Sequence, residues 1–354
     1  MPCFCRYDVS MTARLEVRGL TVEIPTAAGW VRPVNDVSFA LGAGEALGIV
    51  GESGCGKTML ALALMGLEPP GARRTGEAWL SCLHRNGNGA SVASAGAAQS
   101  RRENLIALSP RKIRDLRGRE IGMIFQEPMT ALNPVMRAGR QIAEAIRAHE
   151  PAIGREELHG RVLASLAHAA VPEPNLRARQ YPHQLSGGLR QRVMIAMALA
   201  AGPGVLIADE PTTALDVTVQ RQILELLAAL RRELQLSLLF ITHDLGVVVQ
   251  VADRVAVMYA GRIVEEGPAL EVLRWPRHPY TEGLLRAAPG LERRKLKSIP
   301  GAVPSLAALP RGCSFAPRCP RRIAECDAAM PELLPVPGAP ENRRVRCILA
   351  SEKA

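Results

Sequence analysis

Five groups of residues carry side chains suited to phosphoanhydride chemistry. Gly51-Glu52-Ser53-Gly54-Cys55-Gly56-Lys57-Thr58 fits the phosphate-binding pattern G-x-x-x-x-G-K-[ST]. In such a loop the backbone N–H groups cradle a phosphate, Lys57 neutralises β/γ charge and Thr58 offers a hydroxyl to Mg²⁺. Asp209-Glu210 closes the apolar run Val205-Leu206-Ile207-Ala208, so Asp209 can reach the metal and Glu210 can orient and deprotonate water. Gln126 can offer its amide to the metal or the attacking water, and His243 an imidazole to the γ-phosphate. Leu185-Ser186-Gly187-Gly188 is a glycine turn with one hydroxyl donor, opening a run with helical apolar spacing from Leu189 to Ala200. The start of such a helix aims free N–H groups at an anion.

Each group taken alone has a plainer reading. A Ser-Gly-Gly is a turn, paired acids after a strand cap a helix, and a single Gln or His at a strand end belongs to the surface. What joins them is their context, because the phosphate loop, Gln126, Asp209-Glu210 and His243 each follow an apolar run of strand length. Ligands of open α/β sheets bind at the carboxyl ends of the strands.

The elements that must position these residues follow from patterning. Leu15 to Leu41 alternates apolar and polar residues, as antiparallel strands do. Ala46–Val50 is a short buried strand that feeds the glycine loop, and Thr58 to Leu67 is a helix buried on most sides. Strands are also expected at Ile121–Phe125, Val205–Ala208, Leu238–Ile241 and Val255–Tyr259, with a helical region before Leu185. Strands alternating with helices indicate a mainly parallel α/β core. Residues 84–104 are small, polar and glycine-rich, and read as a surface loop insertion. After about Leu270 the chain turns rich in Pro, Arg and Cys, a separate C-terminal extension.

With 354 residues and 47% apolar content, the chain can bury a sizeable core. Its net charge of +10 would suit nucleic acid or an anionic membrane, but aromatics at 3% supply no base-stacking platform. The basic residues cluster only locally, as at Arg293-Arg294-Lys295-Leu296-Lys297, which reads as a solvated surface. No run reaches the roughly 18–20 apolar residues of a membrane helix, and the first residues lack a signal peptide's apolar core. The eight cysteines are therefore expected as thiols or ligands rather than disulfides. Nothing before Met11 resembles an element, which makes Met11 an alternative start.

Gly51–Thr58, Gln126, Leu185–Gly188, Asp209-Glu210, Ala214-Leu215-Asp216 and His243 resemble, in order, the Walker A, Q-loop, signature, Walker B, D-loop and H-loop of ABC-type ATPases. The resemblance implies an α/β P-loop NTPase fold of ABC type, with an antiparallel β subdomain, a helical subdomain and a small cysteine-containing C-terminal extension. The implied ATPase domain is 13–270, with the helical subdomain at about 127–200, and the extension is 271–354. ATP and Mg²⁺ are the implied cofactors, the metal served by Thr58, Gln126 and Asp209. Two such domains pair head to tail in this family. Ser186, Gly187 and Gly188 would then meet the partner's ATP, and Asp216 would couple the two sites.

Further stretches resemble one branch of the family, the ATPases of oligopeptide, dipeptide and nickel importers. They are Arg117–Ile121, Phe125-Gln126-Glu127-Pro128-Met129-Thr130-Ala131-Leu132-Asn133-Pro134, His278-Pro279-Tyr280-Thr281 with Leu284-Leu285, Ile299–Pro304 and Cys313–Pro320. That branch implies an energy-coupling subunit for di- or oligopeptides, with nickel, glutathione or another small solute as alternative cargo. Implied partners are a second, non-identical ATPase, two transmembrane permeases docking near Gln126, and an extracytoplasmic solute-binding protein. The implied place is the cytoplasmic face of the bacterial inner membrane, held peripherally. A soluble ABC ATPase acting on nucleic acid or ribosomes is the rival class, without a coiled-coil insertion or tandem cassette to support it. The aromatic that stacks adenine in many relatives is replaced by Ala28, with Trp30 the nearest ring.

Cys313, Cys319, Cys326 and Cys347 have the spacing C-x5-C-x6-C-x20-C, without the close pairs of zinc ribbons. On spacing alone they are either four unrelated buried thiols or ligands of Zn²⁺ or an iron–sulfur cluster. Resemblance to the cysteine-containing tail of peptide-importer ATPases favours a structural [4Fe–4S] cluster over Zn²⁺.

Overall fold

The computed structural model describes residues 13–27, 29–82, 101–287, 299–339 and 342–350. Chain order begins β1 (Ala13–Thr26), β2 (Gly29–Gly42), β3 (Ala46–Val50), α1 (Lys57–Met65), β4 (Arg73–Ser81), β5 (Arg102–Asn104), α2 (Pro110–Leu116) and β6 (Ile121–Ile124). The helices α3 (Pro128–Ala131), α4 (Ala138–Arg147), α5 (Arg155–His168), α6 (Pro174–Ala178) and α7 (Gly187–Leu199) come next. They are followed by β7 (Val205–Asp209), α8 (Val217–Leu234), β8 (Ser237–Thr242), α9 (Leu245–Val251), β9 (Arg254–Tyr259) and β10 (Arg262–Pro268). The last elements used below are α11 (Pro279–Ala287), after α10 (Ala269–Arg274), and the two-residue strands β11 (Leu334–Pro335) and β12 (Arg344–Val345).

The alternation in Leu15 to Leu41 becomes the antiparallel pair β1–β2, within a four-stranded sheet ordered β2-β1-β4-β5. The second sheet runs β11-β12-β10-β9-β3-β8-β7-β6, and the five strands from β9 to β6 are parallel. Those five are short and almost wholly buried, with apolar interiors, as strands covered on both faces are. Alternate residues serve two cores. Leu47, Ile49, Ile207, Leu239 and Ile241 pack with α1 and the antiparallel sheet. Ala46, Val50, Leu206, Ala208, Leu238 and Phe240 pack with α4, α5 and α7 to α9.

Two expectations change. Residues 102–104, assigned to the flexible insertion, form β5 and pair with β4. Residues 84–100 of that insertion lie outside the described residues. The C-terminal extension does not stand apart: β12 hydrogen-bonds to the edge of β10 and extends the main sheet. Arg343 there makes a 2.6 Å ion pair with Glu265, both nearly fully buried, which locks the seam. Glu266 and Arg344 form a second pair across the same seam. No helix among the described residues is long and apolar enough to cross a membrane.

Candidate nucleotide site

Parallel register brings the chemistry together. Val50 lies opposite Thr242, Asp209 opposite Ile241, and Ile124 opposite Ala208. The carboxyl ends of β3, β8, β7 and β6 are therefore level, and the segments that leave them carry the phosphate loop, His243, Asp209-Glu210 and Gln126.

The loop's shape depends on its glycines. Gly54 and Gly56 have φ of 78° and 109°, in the left-handed region that favours glycine. A Cβ on Gly56 would sit 1.8 Å from the Pro33 carbonyl oxygen of β2, and one on Gly51 would sit 2.2 Å from that of Met258. The loop is thus pressed between both sheets, and the Gly261 N–H donates to the Cys55 carbonyl from the β9–β10 turn. A Cβ on Gly54 would meet no atom within 4 Å, which leaves that side of the loop open to a ligand. Lys57 is buried, with Nζ 2.8 Å from the Gly51 carbonyl and 3.1 Å from that of Glu52. Burial raises the pKa of Cys55, whose thiol is enclosed rather than presented to the loop's open side. Ser53 and Thr58 are exposed on the loop, while Glu52 is half-buried.

Glu210 is the hub. Its Oε2 accepts from the Thr213 hydroxyl at 2.9 Å and from Gln126 Nε2 at 3.4 Å, and lies 3.1 Å from His243 Nδ1. Lys57 Nζ is 3.9 Å from the other oxygen. Glu210 itself holds φ of 46°, a strained value for a residue with a Cβ. Bonds from three neighbouring segments fix the carboxylate in one orientation. Thr213 was missed in the sequence. Its position three residues after Glu210, in the turn before Asp216, was the one available signal.

Asp209 is the last residue of β7. It is buried, and neither carboxylate oxygen has a hydrogen-bond partner. Burial pushes its pKa up to about 6, opposed by the Thr58 hydroxyl, with the neighbouring Glu210 charge adding to the rise and Lys57 countering it. An acid held this way beside a Thr hydroxyl is short of positive charge, which Mg²⁺ would supply. Asp209 and Thr58 would hold the ion, while the described contact of Gln126 is its amide N–H on Glu210.

Ser186 and Asp216 belong to a second cluster. The Ser186 hydroxyl accepts from the Leu189 N–H and caps α7, while Asp216 accepts from the N–H groups of Thr218 and Val219 at 3.0 Å and caps α8. A Cβ on Gly188 would lie 2.8 Å from Val219, and one on Gly187 would lie 3.7 Å from Leu215, so the two caps pack side by side. Ser186, Gly187 and Asp216 are exposed. Their hydrogen bonds are local, and they present a polar, N-terminal helix face outward rather than joining the Glu210 hub.

The expected cysteine centre is not supported. All six described cysteines are free, but among the described residues no three His, Cys, Asp or Glu side chains form a group able to hold a metal ion. Cys313 and Cys319 pack against the main core, whereas Cys347 packs with Val336, Val345 and Ala350 in a small separate cluster. Burial raises the pKa of all three, and neighbouring cysteines add to the rise, Cys326 and Cys347 acting on Cys313 and on Cys319, and Cys326 on Cys347. Ala28 lies outside the described residues, and Trp30 is exposed with the Arg73 guanidinium 4.2 Å above its ring.

Residues 34–213 match the family model "ABC transporter", and residues 264–326 match "Oligopeptide/dipeptide transporter, C-terminal region". The chain belongs to the ABC transporter family. It is 47% identical over 350 residues to a Brucella ovis protein named for peptide import ATP binding, covering 96% of this chain and 98% of that one. It is 46% identical over 319 residues to the dipeptide transport ATP-binding protein DppD of Bacillus subtilis, covering 90% of each. The solved ATP-binding cassette MJ0796, a dimer bound to ADP and Pi, is 26% identical with a TM-score of 0.59, covering 72% of this chain and 98% of that one. This ABC protein is an ATPase whose hydrolysis is coupled to transport.

Proposed function

We infer that this ABC ATPase is the energy-coupling subunit of a binding-protein-dependent importer of di- or oligopeptides. The observation that carries the site is the convergence of Lys57, Gln126, Thr213 and His243 on Glu210, beside the unpartnered carboxylate of Asp209. In this reading the loop 51–58 binds the ATP phosphates, and Asp209, Thr58 and Gln126 hold Mg²⁺, which supplies charge neutralisation when bound. Glu210 accepts the proton of the attacking water, and His243 both orients Glu210 and faces the γ-phosphate. The exposed caps Ser186 and Asp216 face a second ATPase subunit, where the Ser186 turn completes the partner's site.

The peptide assignment is supported by the C-terminal region match and by the names of the relatives. The assembly then contains a second, non-identical ATPase, two permeases and a solute-binding protein, with this chain held peripherally at the cytoplasmic face of the bacterial inner membrane. Residues 13–270 form the ATPase unit, with helices of 127–200 set to meet the permeases, and the remainder forms the extension.

The test is ATPase stimulation in the reconstituted complex by the solute-binding protein loaded with a mixed di- and oligopeptide pool. Peptide-dependent stimulation is expected. Stimulation by nickel or glutathione, with none from peptides, would reassign the cargo. Ser186→Arg in this chain should abolish one of the two hydrolysis events per complex while leaving this chain's own ATP binding intact.

A further inference from the structure

The first acid of the phosphate loop is bound by the far end of the chain. Arg318 donates from Nη1 to Glu52 Oε2 at 2.7 Å and from Nη2 to Oε1 at 3.1 Å, a two-pronged ion pair across 266 residues. The Arg318 side chain is 4% exposed. Its remaining donors are anchored within the extension and on β9: Nε to the Pro300 carbonyl at 3.0 Å, Nη2 to that of Ile299, and Nη1 to the Tyr259 hydroxyl at 3.4 Å. Next to it, the Tyr280 hydroxyl of α11 accepts from the Glu52 backbone N–H at 2.9 Å. Tyr280, Tyr259 and Phe315 pack as one aromatic cluster, with ring centroids 4.5–5.4 Å apart. The extension thus grips both the side chain and the backbone of the loop's second residue.

This arrangement has a physical cost that a surface decoration would not bear. A buried guanidinium needs its charge met and all its N–H groups paired. Glu52 meets the charge, so the extension's packing and the loop's position are satisfied together or not at all. The bidentate fork fixes orientation as well as distance. It acts one residue after Gly51, on the segment whose carbonyls also hold Lys57 Nζ.

We propose that Arg318, with Tyr280, is a positioning residue through which the C-terminal extension holds the phosphate-binding loop in its nucleotide-accepting shape. Neither residue touches nucleotide in this proposal, and both act through Glu52. The proposal rests on the reading of 51–58 as the ATP loop. Its direct consequence is that loosening the extension relaxes the loop, even though the nucleotide motifs are untouched.

The test uses the full-length chain and two readouts: affinity for ATP by calorimetry, and hydrogen exchange of the amides of residues 51–57 without nucleotide. Arg318→Gln should weaken ATP binding about tenfold, within the coupling range of contacting residues, and should speed exchange in the loop. Glu52→Gln should do the same, the double variant should add little to either single one, and Arg318→Lys should recover part of the loss. Tyr280→Phe keeps the ring packing and removes only the hydroxyl, so it guards against misfolding of the Arg318 variants. It should speed exchange at the Glu52 amide. Wild-type affinity and wild-type loop exchange in folded Arg318→Gln and Tyr280→Phe would overturn the tether. Lys57→Ala separates the two claims: if it too binds ATP normally, the nucleotide reading itself fails. If it loses binding while the Arg318 variants keep it, only the tether does.

Discussion

Glu210 Oε2 and His243 Nδ1 lie 3.1 Å apart although 33 residues separate them in the chain. Their strands are neighbours, and the parallel register that sets Asp209 opposite Ile241 delivers the two side chains to one point. A carboxylate held by an imidazole, a hydroxyl and an amide is restrained in one orientation, as a group that activates water must be.

Replacing that carboxylate isolates the chemical step. Glu210→Gln should retain ATP binding and lose hydrolysis by about 10²–10⁴-fold, the usual contribution of a positioned base. Single-turnover hydrolysis alongside equilibrium ATP binding checks this, and near-normal turnover would remove Glu210 from the role.

His243→Ala withdraws one partner from Glu210 while leaving the phosphate loop intact. Turnover should fall by about 10²-fold, as for loss of one preorganised hydrogen-bonding group at a reacting centre. KM for ATP should stay close to wild type, because Lys57 and the loop amides remain. A rise in KM at constant kcat would instead make His243 a binding group.

Gly56→Ala tests the packing of the loop between the sheets. The added methyl group would collide with the Pro33 carbonyl in a backbone conformation of φ 109°. A loss of about 1–3 kcal/mol is expected from the strained backbone alone, with more from the collision. Thermal denaturation measures it, and an unchanged Tm would show that the loop can move away from β2.

Asp209 has a pH signature of opposite sign to an ordinary paired acid. Its pKa rises from 3.8 to about 6 on folding through burial, so folding disfavours the charged form. Without metal, stability should therefore fall as pH rises from about 4 to 6, and the penalty should persist above that, to at most about 3 kcal/mol. Metal-free Asp209→Asn should consequently be more heat-stable than wild type at pH 8 and equal to it at pH 3.5. Saturating Mg²⁺ and ATP should reverse the order at pH 8. Denaturation scans with and without chelator read both effects, and a wild type no less stable than the variant at pH 8 under chelation would contradict the unpaired carboxylate.

The chemistry at the strand ends was legible in the sequence because it is local. A run of four or five apolar residues followed by Asp209-Glu210, or by Gly51–Thr58, states both an element and its cargo in one short stretch of chain. The helix-opening turn at Ser186 was legible for the same reason, since a cap needs only the next three N–H groups, whereas the capping role of Asp216 emerged only in the fold. Composition misjudged residues 102–104, because a three-residue strand is defined by its pairing with β4 rather than by its own residues.

What the sequence by itself determined was the family's motifs, their order, and the parallel core that carries them. Tertiary structure decided which side chains meet. It put Thr213 on Glu210, left Asp209 without a partner, set Cys313 and Cys319 in one packing cluster and Cys347 in another, and closed Arg318 onto Glu52. Such contacts across up to 266 residues have no local signature. They depend on sheet register, burial and the need of each buried charge for a partner, and those exist only once the chain has folded.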